Sequence, residues 1–121
     1  MTDAALTKPK PRIDHPEELD RLVRQIVEKA DPVAIYVFGS RARGDACEDS
    51  DYDLLIVVPD DFPPEKATPS HAFALIQGRN VPTDATIVRE RRFAERSRRI
   101  GTLSYKVALE GVRVYGRRTR P

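Results

Sequence analysis

The chain has 121 residues, of which 33% are charged and 40% hydrophobic, with a net charge of +2. This length supports one soluble domain with a modest core and excludes a multidomain enzyme. No apolar run approaches the roughly 18 residues of a membrane span, and residues 1–11 lack a signal peptide's apolar core, so a cytoplasmic location is the default expectation. The one cysteine, Cys47, excludes an internal disulfide and a zinc site built mainly from thiolates.

Charge is distributed unevenly along the chain. Residues 45–61 contain seven carboxylates and no basic residue, whereas residues 89–120 contain eleven basic residues against three acidic ones. The basic block is equally consistent with a solvated surface and with a surface that contacts a partner or a triphosphate. Nucleic-acid binding is disfavoured, because no aromatic stacking platform or reading helix accompanies the block. The acidic block carries more information, because two of its members stand at the head of an apolar run.

Proline, glycine and hydrophobic spacing divide the chain into elements. Residues 1–13 are predicted to be a flexible leader, residues 14–116 the folded domain and residues 117–121 a basic tail. A helix is predicted from Pro16 to Ala30, because a proline suits the first helical position and apolar residues follow at helical spacing.

Further elements follow from apolar runs and their end signals. Strands are predicted at residues 33–38, 52–58, about 81–88 and 112–115. Helices are predicted from Pro69 to near Gly78, over residues 89–99, and from the capping residue Thr102 to near Gly111. Strands and helices in this order predict an α/β (α+β) fold with a small mixed sheet flanked by helices.

Two neighbouring segments carry the candidate chemistry. Asp51 and Asp53 are two residues apart at the head of the second strand, so both project to one face about 6.5 Å apart along the chain. Two such carboxylates repel each other, and a bound cation relieves the repulsion. Gly39 and Ser40 end the preceding strand, where glycine admits a ligand close to the backbone and a hydroxyl and free amides suit phosphate. Taken alone, Asp51 and Asp53 also fit a solvated strand end. Gly39 and Ser40 taken alone also fit an ordinary turn with a serine cap.

In this order the residues resemble the minimal nucleotidyltransferases of the DNA polymerase beta superfamily. The resemblance rests on Gly39-Ser40, a spacer of residues 41–50 and Asp51-Tyr52-Asp53, and it extends over about residues 19–115. It implies the polymerase-beta-like fold, with Asp84 as a third carboxylate on a neighbouring strand. It further implies that Asp51 and Asp53 hold two Mg²⁺ ions on the triphosphate of ATP and that Gly39 and Ser40 bind the outgoing phosphates. Asp84 would ligate the catalytic metal and help to deprotonate an attacking hydroxyl.

Two arginines and a serine next to these motifs complete the predicted site. Arg41 and Ser50 are assigned to the nucleotide site, and either Arg41 or Arg43 would neutralise developing phosphate charge. Both arginines also fit ordinary surface positions, and Asp84 also fits a turn aspartate after Pro82.

The resemblance also implies a partner. Small members of this group are commonly paired with a helical HEPN-type toxin and act as its antitoxin by transferring AMP to a toxin tyrosine. The alternative is a non-catalytic antitoxin that neutralises its partner by covering it. Transfer to a small molecule such as an aminoglycoside is disfavoured, because no acceptor domain accompanies the nucleotide site. His15 and His71 have no paired ligand at metal spacing and are assigned structural roles.

Overall fold

A computed structural model describes residues 10–117. Its five helices within that range are α1 (Pro16–Ala30), α2 (Ser40–Arg43), α3 (Pro69–Leu75), α4 (Glu90–Arg96) and α5 (Leu103–Glu110), with a short 3-10 turn at Pro64–Lys66. The strands are β1 (Ala34–Phe38), β2 (Tyr52–Val58), β3 (Thr83–Arg89) and β4 (Val112–Gly116). Within the same range, no helix is long and apolar enough to cross a membrane.

The four strands form one mixed sheet in the order β3-β2-β1-β4. Strand β1 pairs antiparallel with both β2 and β4, while β2 and β3 are parallel. The parallel pair needs a long crossover, which α3 and its flanking loops supply. The predicted small mixed sheet flanked by helices is therefore confirmed.

Both faces of the sheet are covered, because alternate residues of β1 and β2 point to opposite sides. On one face, α1 and α3 pack Leu22, Ile26 and Leu75 against Leu54 and Ile56. The other face carries a smaller cluster under α4 and α5, whose members are Ala34, Leu55, Val57 and Val107, with Tyr36, Phe38, Val88 and Phe93 packed against them. Asp53 alternates with Leu54 and therefore lies on the α5 side of the sheet.

Most predicted boundaries agree with the structure to within a few residues. Helix α1 spans the predicted residues, and Thr102 caps α5 by accepting a hydrogen bond from the Tyr105 backbone N–H at 3.1 Å. Helix α3 ends three residues before Gly78, and β3 begins two residues later than predicted. Strand β3 follows Pro82, whose carbonyl accepts from the Tyr52 N–H at 2.9 Å.

The ends of the predicted domain lie close to the limits of the described chain. Arg12 and Ile13 were assigned to the leader, yet the Arg12 N–H donates to the Arg41 carbonyl at 2.8 Å and Ile13 packs on the core. Arg117, assigned to the tail, donates its N–H to the Val33 carbonyl. The rest of both predicted terminal segments, residues 1–9 and 118–121, lies outside the described residues.

One ion pair ties α1 to the loop that leads into β3. Glu18 accepts two bonds from the Arg21 guanidinium, at 2.9 and 2.7 Å, and one from the Asn80 backbone N–H at 2.6 Å. The Arg21 and Asn80 bonds outweigh burial and lower the pKa of Glu18 to about 2. Since the ionised form is the one stabilised, Glu18 contributes to stability above its ordinary pKa of 4.5, and this contribution is lost as pH falls toward 2.

We expect Glu18→Gln to lower the free energy of unfolding by about 1–2 kcal/mol at pH 7, because the Arg21 and Asn80 donors lose a charged acceptor and solvent screens part of the effect. Urea unfolding at pH 7, 5 and 3 checks the prediction, since the difference from wild type should shrink as pH drops below about 4.5. The matched control is Asp20→Asn, which removes an exposed pair with Arg24 at 3.8 Å. A loss from Glu18→Gln that is the same at all three pH values would contradict the assignment.

Candidate functional site

Three carboxylates lie together where β2 and β3 begin. Asp53 and Asp84 are register partners in the parallel ladder. Side chains of register partners lie on the same face of adjacent strands, which are about 4.8 Å apart. Asp51 immediately precedes β2 and shares the face of Asp53 by alternation. The structure therefore brings Asp84, on a strand 31 residues further along the chain, beside the predicted pair.

The three charges affect one another. The pKa of Asp53 is raised by burial first and then by the negative charges of Asp84 and Asp51, while Lys106 and Arg43 oppose the rise. Asp53 is half-buried, whereas Asp51 and Asp84 are exposed. The site is thus a concentration of negative charge that two nearby cations relieve only in part.

These carboxylates have the chemistry of a site for a hard divalent cation. In the described chain, none of the three accepts a salt bridge from a basic side chain. Carboxylate oxygens are the ligands that Mg²⁺ takes from proteins, usually one or two at a time beside substrate phosphates. Within residues 10–117, no three Asp, Glu, His or Cys side chains already converge at metal-binding distance. The donor set fits Mg²⁺, and a bound ion would have to draw the carboxylates together.

Gly39 forms the wall of the site opposite Asp53. Its φ of 76° and ψ of −153° lie in a region that is essentially restricted to glycine. A Cβ at this position would lie 2.5 Å from Asp53 Oδ2. The strand ladder explains the closeness, because Phe38 is the register partner of Asp53. Glycine is therefore required here both by the backbone and by the space that the carboxylate occupies.

The turn after Gly39 leaves backbone donors available. Helix α2 begins at Ser40, and the Ala42 and Arg43 N–H groups donate back to the Gly39 carbonyl at 3.1 and 3.0 Å. Ser40 and Arg41 supply the first-turn N–H groups, which have no partner inside a helix. Together with the Ser40 hydroxyl, these donors suit a phosphate next to the carboxylates. The structure thus brings Gly39 and Ser40 to the same place as Asp53 and Asp84.

Two other predicted nucleotide residues point elsewhere. The Arg41 side chain is 1% exposed and bonds to the backbone carbonyls of Ser50, Glu48 and Arg12 and to the Asp14 carboxylate. The Ser50 hydroxyl accepts from the Cys47 N–H at 2.9 Å within its own loop. The structure shows that both side chains form hydrogen bonds within the protein. Their contact with a nucleotide stays a prediction.

Lys106 and Arg43 are the two cations whose charge opposes the rise in the pKa of Asp53. Arg43 donates to Asp45 at 3.1 Å and to Glu110 at 2.9 Å, which uses two of its five N–H donors, and its side chain is 37% exposed. Sequence reasoning named Arg43 as a candidate but missed Lys106. No local signal marks this lysine, because only the packing of α5 on the sheet brings it toward Asp53.

A small mixed sheet with this carboxylate cluster and a glycine turn defines a nucleotidyltransferase-type domain, and comparison with known proteins agrees. A family model described as the nucleotidyltransferase domain matches residues 19–111. The chain therefore belongs to the nucleotidyltransferase domain family. None of the curated proteins searched matches the chain.

Two solved structures share the fold at low sequence identity. A Sulfolobus solfataricus protein described as a nucleotidyltransferase aligns with a TM-score of 0.54 and 20% identity, covering 84% of this chain and 79% of its own. A toxin-antitoxin structure with AMP-PNP aligns with a TM-score of 0.53 and 18% identity, covering 84% of this chain and 74% of its own. The polymerase-beta-like fold expected from the sequence is confirmed.

We expect Gly39→Ala to displace the Asp53 carboxylate, because the added methyl and Asp53 Oδ2 cannot both keep their positions. The strained φ should cost about 1–3 kcal/mol of stability, and binding of a nucleoside triphosphate with a divalent cation, probed with ATP and Mg²⁺, should fall by about tenfold or more. Urea unfolding and calorimetric titration measure the two effects. The matched control is Gly78→Ala, where φ is also positive at 80° but no atom lies within 4 Å. Equal losses of ATP binding in both variants would contradict the assigned role of Gly39.

Proposed function

We propose that the protein transfers AMP from ATP, with Mg²⁺, to a hydroxyl group of a partner protein in the cytoplasm. The observation that carries this proposal is the register pairing of Asp53 with Asp84 next to Gly39. Carboxylates alone would suit many cation sites. Carboxylates beside unused first-turn amides and a glycine that leaves the approach open suit a triphosphate and its counterions together.

In this reaction an acceptor oxygen attacks the α-phosphorus of ATP. A bond forms between that oxygen and phosphorus, the bond from the α-phosphorus to the bridging oxygen breaks, and pyrophosphate leaves. The hydroxyl proton passes to a carboxylate, for which Asp84 is our candidate because it is exposed and lies beside Asp53. Gly39 and Ser40 would hold the departing phosphates, and Arg43 and Lys106 would balance their charge.

Asp51, Asp53 and Asp84 would hold the metal ions. Bound Mg²⁺ would supply charge neutralisation of the triphosphate and would lower the pKa of the attacking hydroxyl. The rise in the pKa of Asp53, caused by burial and by its two acidic neighbours, is consistent with a group that gains from a nearby cation. We retain the expectation of two ions, which rests on the resemblance.

The acceptor that we propose is a tyrosine of a HEPN-type toxin, with this protein acting as antitoxin. Support comes from the resemblance and from the shared fold with a toxin-antitoxin structure that contains AMP-PNP. The size of the domain is consistent with this acceptor. The four strands, their helices and the loops that join and flank them form one sheet domain over residues 10–117, and the partner would supply the surface that presents the hydroxyl.

The test has two stages. Calorimetric titration of ATP should show binding that requires Mg²⁺ and that weakens by about tenfold or more in the double variant Asp51→Asn/Asp53→Asn. The protein is then mixed with ATP, Mg²⁺ and its cognate toxin, and mass spectrometry should find the toxin heavier by one or more AMP groups. The control variant is Asp61→Asn/Glu65→Gln, which removes the same charge from exposed positions at the other end of β2.

Each outcome separates the alternatives. Metal-dependent ATP binding with an unmodified toxin would refute protein AMP transfer while leaving the nucleotide site intact. Neutralisation of the toxin by Asp51→Asn/Asp53→Asn at wild-type strength would favour the non-catalytic antitoxin, which acts by covering its partner.

A further inference from the structure

Arg41 has no N–H donor left for a nucleotide. A guanidinium group carries five N–H donors, one on Nε and two on each Nη. Nε donates to the Ser50 carbonyl at 3.3 Å. Nη1 donates to the Arg12 carbonyl at 3.2 Å and to Asp14 Oδ2 at 2.8 Å. Nη2 donates to the Glu48 carbonyl at 3.1 Å and to the Ser50 carbonyl at 3.0 Å. These five bonds match the five donors one for one.

The arrangement is also closed to solvent. Arg41 is 1% exposed, and its guanidinium carbon lies 4.3 Å from the centre of the Tyr52 ring, where the π-face attracts the cation. A phosphate could bind this group only by displacing one of its backbone carbonyls or the Asp14 carboxylate. It would also have to reach a guanidinium that the protein covers almost completely.

Three of the five bonds go to backbone carbonyls just before the carboxylate pair. Ser50 precedes Asp51, and its carbonyl accepts two of the five bonds, while Tyr52 follows Asp51 and packs under the guanidinium. Asp51 is therefore held between two residues that Arg41 contacts. Because Asp51 directly precedes the first residue of β2, its direction depends on this loop as well as on the strand ladder that begins at Tyr52.

Tyr52 extends the same network to the start of α1. Its hydroxyl accepts from the backbone N–H groups of Asp14 and His15 at 3.0 and 3.1 Å and lies 2.9 Å from His15 Nδ1. Arg41 reaches the same segment through Asp14 and the Arg12 carbonyl. The loop before β2, the turn after β1 and the segment before α1 thus meet at one buried cation.

We propose that Arg41 is a positioning residue, which sets the Asp51 carboxylate by clamping the loop of residues 48–50 and makes no contact with the nucleotide. The inference rests on the proposed function, since Asp51 is taken to be part of the nucleotide site. Arg41 would then act on the nucleotide site through Asp51 and not through a phosphate contact of its own. Arg43, two residues on, keeps the donors and the exposure that a phosphate contact would require.

The decisive variant is Arg41→Lys, which keeps the positive charge but cannot bond to all of these acceptors at once. We expect backbone amides at residues 48–53 to exchange hydrogen about tenfold faster, with α3 unchanged as the internal reference. In AMP transfer, kcat should fall by about tenfold or more while KM for ATP changes by less than about threefold. The control is Arg24→Lys, whose side chain is 72% exposed.

Two results would overturn the proposal. A KM for ATP that rises by about tenfold or more with unchanged kcat would mean direct contact with the nucleotide. Transfer restored to wild-type level by lysine, with unchanged exchange at residues 48–53, would mean that charge alone is sufficient.

A measurement on the wild-type protein covers the case in which Arg41→Lys does not fold. In NMR spectra the Arg41 Nε–H should exchange slowly with water. On titration with ATP and Mg²⁺ it should shift less than the backbone N–H signals of Gly39 and Ser40. A rapidly exchanging Arg41 Nε–H, or one that shifts more than these two amides, would overturn the proposal. If Gly39 and Ser40 do not respond to ATP, the proposed function fails, while the slow exchange of Nε–H still decides the role of Arg41.

Discussion

The site depends on the parallel hydrogen-bond ladder between β2 and β3. Its register places Asp53 opposite Asp84, and all seven pairs of the ladder keep the same offset. A slip of one residue would turn Asp84 to the α1 face of the sheet and leave Asp53 opposite Thr83 or Ala85, neither of which carries a carboxylate. The buried residues of β2 resist such a slip, because Leu54 and Ile56 must face α1 while Leu55 and Val57 face α5. The core thereby determines which carboxylates meet.

The parts of the site that lie close in sequence could be predicted from sequence. Asp51 and Asp53 share a face through the two-residue period of a strand, and Gly39 marks the end of an apolar run, so local rules are sufficient. Asp84 is different, because no local rule connects residues 53 and 84. The resemblance to a family predicted that Asp84 belongs to the site, and the β2–β3 register explains why it lies beside Asp53. Fold class and most element boundaries were also predictable, because apolar spacing and proline positions determine them locally.

Arginines were the residues that sequence could not assign. Arg41 and Arg43 stand two apart in a four-residue helix, and both suit a phosphate by composition. The structure separates them through burial: Arg41 is enclosed by backbone carbonyls contributed by distant segments, whereas Arg43 lies at the surface between Asp45 and Glu110. Lys106 was missed for the same physical reason. The position of the charged group on a long side chain depends on packing between distant segments, and a short stretch of sequence does not contain that information.

The order of the strands gives the carboxylates unequal freedom. Strand β2 is bonded on both sides, so Asp53 is anchored in the middle of the sheet, whereas β3 is an edge strand held only by β2. Asp84 therefore stands on a strand whose sheet hydrogen bonds reach one neighbour only, and the packing of Ala85 and Ile87 on the α1 core supplies further support. Loss of that packing would leave Asp84 less well supported than Asp53, whose strand keeps a partner on each side.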